Sequence, residues 1–263
     1  MMAQVSVVTD STAYLPPGVA DEYGVSIVPL RVTIGSRTGT DGIDVSPADV
    51  TRALRGRVPV TTSRPSPAEF AAVYRRVLDG GASNIVSVHL SAALSGTWES
   101  AVLAAQDFGY GVVRVVDSRS TAMALGFAVL AAARKARSGA TAAEVQDAAV
   151  STVDSTRTFF YVDTLEYLRR GGRIGAGAAL LATSLSVKPL LHVLDGQIVP
   201  LEKVRTSSKA IARLVQLTIA EARDYPVDLA VHHLARLGAV IGAHIGPGVL
   251  GTVVVRRRGA SDG

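Results

Sequence analysis

The stretch Asn84–Trp98, NIVSVHLSAALSGTW, carries the pattern that decides the fold. It begins with an apolar, β-branched run that predicts a buried strand, and its end opens a predicted helix over Trp98–Gln106. A second β-branched run, Val112–Asp117, follows after a short connection. Strand, helix and strand in this order predict a βαβ unit, in which two parallel strands are joined by a crossover helix.

The same alternation extends to both sides of this unit. Val5–Thr9 predicts a first strand, and Val25–Ile34 is an extended segment that Pro29 turns into an edge strand or a bulge. Ser66-Pro67-Ala68-Glu69 matches the capping box of a helix start, and Thr121–Ser138 is an alanine-rich predicted helix. Because strands and helices alternate through the first part of the chain, we predict a doubly wound parallel sheet, an α/β/α domain.

The later part of the chain has a different pattern. Two apolar runs, Leu190–Leu194 and Ile198–Leu201, flank Asp195-Gly196, which is a strong hairpin signal. A hairpin introduces antiparallel pairing, so we expect a second α/β domain with a mixed sheet. The predicted domains are residues 1–152 and residues 153–263.

The composition limits the classes of function. The 263 residues are 48% hydrophobic and 19% charged, which is enough apolar surface for a sizeable core. There is no cysteine, so disulfides, Cys-ligated zinc and a thiol nucleophile are excluded. No secretory signal opens the sequence and no apolar run reaches the roughly 18–20 residues of a membrane span. We therefore expect a cytoplasmic protein.

The net charge and the motifs that are missing limit the possible ligands and activities further. The formal charge of +5 and a pI near 9.7 are compatible with an anionic ligand or partner. No aromatic residues are interleaved with the basic ones, so we predict no nucleic acid partner. No histidine pair has the H-x-x-x-H spacing of a helical metal site, and we predict no metal. The segment Ser91–Thr97 does not match the nucleophile elbow G-x-S-x-G, which argues against a hydrolase, and the sequence contains no P-loop, which argues against a nucleotide site.

Hydroxyl-rich segments stand at predicted strand ends. Thr61-Thr62-Ser63 lies in a predicted loop before the Ser66 helix start, and Ser91–Thr97 follows the strand of the central βαβ unit. Hydroxyls, backbone N–H groups and a helix N-terminus together suit a carboxylate or a phosphate. Ordinary turns need the same residue types, so both roles stay open from the residues alone. Thr9-Asp10-Ser11-Thr12 likewise suits either a ligand site or a helix cap.

Basic side chains follow in three further segments. Arg173 lies beyond Gly171-Gly172, which predict a helix end, so its side chain can reach an anion. Lys203–Lys209 is either a solvated edge or a basic loop that faces a phosphate. His244 lies in the predicted loop Gly242–Gly248, whose glycines and proline define a backbone path that presents this one side chain.

Taken in series, these segments resemble the DegV family. The shared pieces span nearly the whole chain, and their order makes them specific: Thr9-Asp10-Ser11, Val28-Pro29-Leu30, Thr61-Thr62-Ser63-x-Pro65, Leu90-Ser91 through Leu94-Ser95-Gly96-Thr97, Asp117-Ser118, Asp163-Thr164-Leu165-x-Tyr167-Leu168 with Gly171-Gly172-Arg173-Ile174, Lys188-Pro189, Lys203-Val204-Arg205, and His244-x-Gly246-x-Gly248.

The resemblance implies a specific function. It implies two α/β domains with a long-chain, palmitate-like fatty acid between them, and no cofactor or metal. The fatty acid carboxylate would meet the hydroxyls of Thr62 and Ser95, and further ligand-binding residues would be Thr61, Ser63, Ser91 and Arg173. The protein would not be an enzyme on its own.

The resemblance also implies a partner and a later step. Well-studied members are acyl-binding subunits that present the carboxylate to a separate ATP-binding fatty acid kinase, for lipid transport and fatty acid metabolism. In that reaction Arg205 and His244 would assist phosphoryl transfer, and membrane contact would be transient at most.

Two positions depart from the family pattern. Ala92 stands where many members have a second serine. Leu234–Val240 joins two predicted strands in a few residues, where relatives carry roughly another helix and strand. The alternative function is a free-standing serine-dependent hydrolase or other acyl-processing enzyme, which would use Ser95 or Ser11 with His244.

Overall fold

The computed structural model describes residues 4–174, 187–233 and 238–257. The described strands, in chain order, are β1 (Val5–Asp10), β2 (Ser26–Val28), β3 (Arg31–Ile34), β4 (Arg37–Thr40), β5 (Val60–Ser63), β6 (Asn84–His89), β7 (Val113–Asp117), β8 (Thr156–Tyr161), β9 (Lys188–Leu194), β10 (Gln197–Val204), β11 (Val227–His233) and β12 (Leu250–Arg256).

The helix start predicted at Ser66 is present among the described helices. In chain order they are α1 (Val19–Tyr23), α2 (Pro47–Arg55), α3 (Pro67–Asp79), α4 (Thr97–Ala105), α5 (Met123–Arg137), α6 (Ala142–Asp154), α7 (Glu166–Arg170), α8 (Ser207–Ala222) and α9 (Ala239–Ile245). The capping box predicted at Ser66 is present, since its hydroxyl accepts from the Glu69 N–H and the Glu69 carboxylate accepts from the Ser66 N–H.

The elements group into two compact units. Unit 1 contains Met1–Arg31 and Ser63–Asp154, and unit 2 contains Val32–Thr62 and Ser155–Gly263. The inserted segment Val32–Thr62 therefore groups by contacts with the later part of the chain. The boundary near residue 152, as a division between independently folding domains, stays a prediction.

Unit 1 is the predicted doubly wound domain. Its sheet has the order β2-β1-β6-β7, and every recorded strand pair is parallel. Leu125 and Val129 of α5 and Val145 of α6 are buried against one face, together with Val86 and Val88 of β6. Phe70 and Tyr74 of α3 and Ala101 and Ala104 of α4 cover the other face with Ile85. Helices on both faces explain why the central strands are apolar throughout.

Unit 2 contains two sheets. One has the order β4-β3-β5, and the other has the order β10-β9-β8-β12-β11. The second sheet was expected to be mixed, but all its recorded strand pairs are antiparallel. Its predicted hairpin is confirmed: Asp195 and Gly196 both have positive φ, 48° and 79°, as a two-residue turn of this type requires. Leu214 of α8 is buried against Phe159 and Leu190 of this sheet.

Two local predictions were wrong, and a third was correct in part. Thr61–Ser63 lies on β5 rather than in a loop, because threonine is β-branched and suits a strand as well as a turn. His244 lies in the last turn of α9 rather than in a loop, since the helix continues until Gly246. Val25–Ile34 divides at Pro29 into β2, which is an edge strand as predicted, and β3, which belongs to another sheet.

Of the described helices, none combines the length and the apolar character that a bilayer crossing needs.

Candidate functional site

The centre of the candidate site in unit 2 is a hydrogen bond between Thr62 and His244. Thr62 Oγ1 lies 2.7 Å from His244 Nε2, and both side chains are partly buried. The two residues are far apart in sequence, and β5 and α9 bring them together. Val60 and Thr62 face one side of β5, while Thr61 and Ser63 face the other, because side chains alternate along a strand.

Two glycines allow α7 to approach this pair closely. A Cβ at Gly171 would lie 2.5 Å from His244 Nδ1, so only glycine fits against the imidazole. Gly246 ends α9 with a φ of +71°, and a Cβ there would lie 2.1 Å from the Tyr167 ring. The G-G-R and H-x-G sequence patterns thus have a structural reason: they bring the ends of α7 and α9 into contact.

A cleft of about 910 Å³ opens on the Thr62–His244 pair within unit 2. Its lining includes four arginines: Arg55, Arg57, Arg170 and Arg173. Glu166 is the acid in this lining, and its carboxylate lies 3.6 Å from Arg170. The excess of positive charge suits an anion.

The protonation state of His244 follows from this environment. Burial, and to a smaller extent the nearby charge of Arg173, together lower the pKa of His244 to about 4. The imidazole is therefore neutral at pH 7. A neutral imidazole has one N–H donor and one acceptor nitrogen, which decides how it can pair with the Thr62 hydroxyl.

The tautomer of His244 decides what Thr62 can bind. With the proton on Nε2, the imidazole donates to Thr62 Oγ1 and leaves the threonine O–H free to donate to an anion. With the proton on Nδ1, Nε2 instead accepts a hydrogen bond from the threonine O–H, which is then not available to an anion. An anion in the cleft therefore selects the Nε2–H tautomer, and His244 then positions the donor.

The second hydroxyl-rich segment lies in unit 1, between β6 and α4. Ser95 Oγ lies 2.9 Å from Thr97 Oγ1 and accepts a hydrogen bond from the Thr97 N–H. Arg64 Nη1 donates to the Gly96 carbonyl at 3.3 Å and pairs with Glu99 at 3.0 Å. These contacts fix the turn that carries Ser95, whose side chain stays partly exposed. Ser91 is fully buried, and its hydroxyl accepts from the Ala93 N–H.

A buried polar chain runs beneath this turn. The Asp10 carboxyl group accepts hydrogen bonds from the Leu90 N–H and the Thr12 N–H, and lies 3.0 Å from His89 Nδ1. His89 Nε2 contacts Ser87 Oγ at 2.7 Å, and Ser87 contacts the Tyr74 hydroxyl at 2.8 Å. Asp10 therefore acts as a helix cap and a strand-to-strand link. Asp10, His89, Ser87 and Tyr74 are all fully buried, so a substrate cannot reach this Ser–His–Asp series of contacts.

The remaining predicted residues differ in their exposure and in whether they line the cleft. Thr61 and Ser63 are exposed, and Thr61 contributes to the cleft lining. Arg173 lines the cleft and donates to the Gly171 carbonyl. Arg205 is exposed between β10 and α8 and is not among the described lining residues of the cleft. Part of the Leu234–Val240 junction lies outside the described residues, and its end forms the start of α9.

Sequence reasoning identified Arg173 but missed the other three arginines of the cleft. Arg55 and Arg57 flank Gly56 at the end of α2, shortly before the threonine pair, and Arg170 lies in the last turn of α7. A signal was available in Arg-Gly-Arg, which places two cations on either side of a predicted helix stop. No spacing rule connects that tripeptide with α7, because the two meet only in the folded unit. Among the described residues, no cluster of metal-ligating side chains is present.

Comparison with known proteins agrees with this architecture. The family model described as "Uncharacterised protein, DegV family" matches residues 4–236. A DegV domain-containing protein of Streptomyces coelicolor is 50% identical over 282 residues, covering 98% of this chain and 100% of the relative. A DegV domain-containing protein of Mycobacterium tuberculosis is 37% identical over 276 residues, covering 95% of this chain and 96% of the relative.

Two solved structures share the fold along nearly the whole chain. A fatty-acid-binding DegV family protein from Thermus thermophilus has a TM-score of 0.90 at 32% identity, covering 97% of this chain and 100% of that one. DegV from Bacillus subtilis, described as a fatty acid binding protein, has a TM-score of 0.88 at 31% identity with the same coverage. On the family match and these relatives, the chain belongs to the DegV family.

Proposed function

We propose that this chain binds a long-chain, palmitate-like fatty acid and that Thr62 is a donor to its carboxylate. The observation that carries this proposal is the Thr62–His244 hydrogen bond, 2.7 Å long, beside an arginine-lined cleft. A neutral His244 can donate to Thr62 and leave the threonine O–H directed at an anion. Two solved relatives above 30% identity are fatty-acid-binding proteins, which supports the lipid as the source of the anion.

The chemistry of the ligand fits a site built from hydroxyl groups. Hydrogen bonds to a carboxylate are charge-assisted, so a few donors offset the cost of removing it from water. An acyl tail contributes up to about 0.8 kcal/mol for each buried CH₂. Affinity therefore comes mainly from the tail, and the hydroxyls fix the orientation of the head group.

Other residues join the proposal on the family resemblance. Ser95 would be a further hydroxyl donor to the carboxylate, with Thr61, Ser63 and Ser91 as nearby hydroxyls. Arg173 would offset the negative charge, because it already lies in the cleft beside His244.

We further propose that the bound acid is presented to a separate ATP-dependent fatty acid kinase. The chain would supply the acyl group without catalysing the reaction alone, and Arg205 and His244 would assist phosphoryl transfer. Conversion of the carboxylate to an acyl phosphate adds negative charge, which the cleft arginines can compensate. Cytoplasmic location and a transient membrane contact for lipid exchange belong to the same proposal.

Binding is tested first. Native mass spectrometry of gently purified protein should show a long-chain fatty acid that dissociates on activation; a mass without ligand after reloading with palmitate would contradict the proposal. Thr62→Val should weaken fatty acid binding roughly 10- to 100-fold, since a hydrogen bond to a charged group contributes roughly 1.5–3 kcal/mol. Ser95→Ala should weaken it as well. Thr38→Val, an exposed threonine in the same small sheet, is the matched control and should bind normally.

The kinase step needs its own experiment. With a cognate kinase and ATP, Arg205→Ala and His244→Ala should lose acyl phosphate formation while palmitate remains bound by Arg205→Ala. Full turnover by both variants would exclude these two residues from the phosphoryl step. Loss of palmitate binding by Arg205→Ala would instead assign that arginine to ligand binding.

A further inference from the structure

Unit 2 has an exposed apolar face that the proposed function does not use. It is formed by Ile211, Val215 and Ile219 of α8 and by Leu229 and Val231 of β11, and we call it the α8–β11 face. These side chains are between 41% and 59% exposed, although each is a large aliphatic. Isolated exposed aliphatics are common on proteins, whereas a contiguous group of them indicates an interaction surface.

Strand register shows that the two groups share one face of the sheet. Val231 pairs with Thr252, and the Thr252 hydroxyl lies 2.8 Å from that of Thr218 on α8. Cross-strand partners point to the same side, so Val231 and, two residues earlier, Leu229 lie on the side that α8 covers. α8 covers the inner strands and leaves these two side chains exposed at the sheet edge.

The helix contributes its matching flank. Val215 lies three residues before Thr218, and Ile211 and Ile219 are each one helical turn from Val215, so this side of α8 is directed towards β12 and β11. Arg213 lies on another side of the helix, where its guanidinium pairs with Glu202 of β10 at 2.6 Å. The aliphatics of α8 and β11 therefore border the same edge of unit 2.

This edge also ends the sheet. β11 is the last strand in the order β10-β9-β8-β12-β11, and within the described part of the chain its recorded partner is β12 alone. Exposed edge strands are usually protected by unpaired charges, proline or a bulge. Asp228, the charged residue of β11, is already paired with Arg257.

Charge favours an apolar occupant. Two arginines beside the face are paired within the unit: Arg256 with Glu221 at 2.6 Å, and Arg257 with Asp228. A partner recognised by its charge would have to compete with these ion pairs for the two arginines. A partner with an apolar surface would not compete with them. Interfaces between identical subunits are more apolar than other interfaces.

We propose that the α8–β11 face is the interface of a homodimer, in which β11 pairs antiparallel with β11 of a second copy. An antiparallel strand can pair with itself about a two-fold axis, so each face supplies its own complement. The pairing satisfies the edge strand of both copies and brings Leu229, Val231 and the α8 aliphatics of one copy onto those of the other.

Sedimentation velocity on the full chain tests the proposal. The native protein should have twice the 27.3 kDa mass of the chain, and the double variant Val215→Asp/Leu229→Asp should sediment as a monomer with an unchanged circular dichroism spectrum. Leu103→Asp, which changes a 51% exposed leucine in unit 1, is the matched control and should stay dimeric. A monomeric native protein would overturn the proposal. It would do so even if the monomer used the α8–β11 face to bind lipid vesicles.

Cysteine crosslinking tests the pairing of β11 itself. The chain contains no cysteine, so a single introduced thiol can form an intermolecular disulfide only with its own copy. Leu229→Cys, Val231→Cys or a mixture of the two variants should crosslink as a dimer on mild oxidation, depending on where the two-fold axis crosses β11, and Leu103→Cys should not. A dimer that persists while neither variant nor their mixture crosslinks would overturn the proposed strand pairing.

Discussion

Two histidines in this chain each contact a hydroxyl group, but their surroundings are opposite. In unit 1, His89 is fully buried and lies between the Asp10 carboxyl group and Ser87 Oγ. In unit 2, His244 is partly buried and lies between Thr62 and the charge of Arg173, beside a cleft of about 910 Å³. Both pairs form a hydroxyl–imidazole contact of 2.7 Å.

The difference shows how partners and access separate a structural histidine from a functional one. Asp10 and Ser87 occupy both nitrogens of His89, and the Ser87 hydroxyl is itself engaged by Tyr74. That chain is complete within the protein, so it stabilises the junction of β1 and β6. At His244 a cation replaces the carboxyl group, and the Thr62 hydroxyl can still donate to an added anion. A ligand is what completes the second arrangement.

The largest expected effect is on stability, from Asp10→Ala. The substitution removes the acceptor of the Leu90 and Thr12 N–H groups and of the Thr12 hydroxyl, and it leaves His89 without its buried partner. Breaking a buried pair in this way costs about 3–5 kcal/mol, so the urea midpoint should fall sharply.

The control for this variant is Asp79→Ala, which changes an exposed carboxylate at the end of α3. It should alter the free energy of unfolding by less than about 0.5 kcal/mol. If Asp10→Ala lowered the free energy of unfolding as little as the control does, the buried Asp10–His89–Ser87 contacts would not stabilise unit 1.

The next expected effect is a pH dependence that originates at His244. Its folded pKa of about 4 lies below the ordinary value of 6.5, so between these pH values the unfolded chain binds a proton that the folded chain does not. Stability from this group is therefore complete above about pH 6.5 and decreases as the pH falls towards 4. The total loss is at most about 3 kcal/mol.

Chemical unfolding at several pH values measures this effect against His244→Gln. The glutamine amide can still donate to Thr62 but does not titrate, so the variant should lack the part of the slope that His244 produces between pH 6.5 and 4. His192, whose pKa is also lowered by burial, titrates in both proteins and cancels in the difference. Parallel slopes for the two proteins would mean that His244 is not held neutral by its surroundings.

The contrast between the two units also explains what could be predicted from the sequence. Helix caps and the hairpin depend on neighbouring residues, so Ser66 and Asp195-Gly196 were assigned correctly. The role of Asp10 depended on His89, which is 79 residues away, and no local pattern records that contact. The family resemblance supplied His244 and Thr62 as separate positions, whereas their pairing and the arginine cleft arise only when β5, α7 and α9 fold together.

The smallest expected effect compares the two hydroxyls directly. Ser87→Ala leaves His89 Nε2 and the Tyr74 hydroxyl without their shared partner in a fully buried site, which should cost about 1–3 kcal/mol. Thr62→Val keeps the shape of the side chain, and His244 Nε2 can turn to water in the cleft, so the cost in stability should be below about 1 kcal/mol.

Ligand binding should show the reverse order. Ser87→Ala should leave fatty acid affinity unchanged wherever the variant is folded, while Thr62→Val should lower it, and Thr62→Ser, which restores the hydroxyl, should recover most of the loss. Urea unfolding and palmitate titration of the same three variants measure both quantities. A Thr62→Val protein that loses as much stability as Ser87→Ala, with normal affinity, would make the Thr62–His244 contact a second structural link, because its hydroxyl would then be engaged within the protein rather than by a ligand.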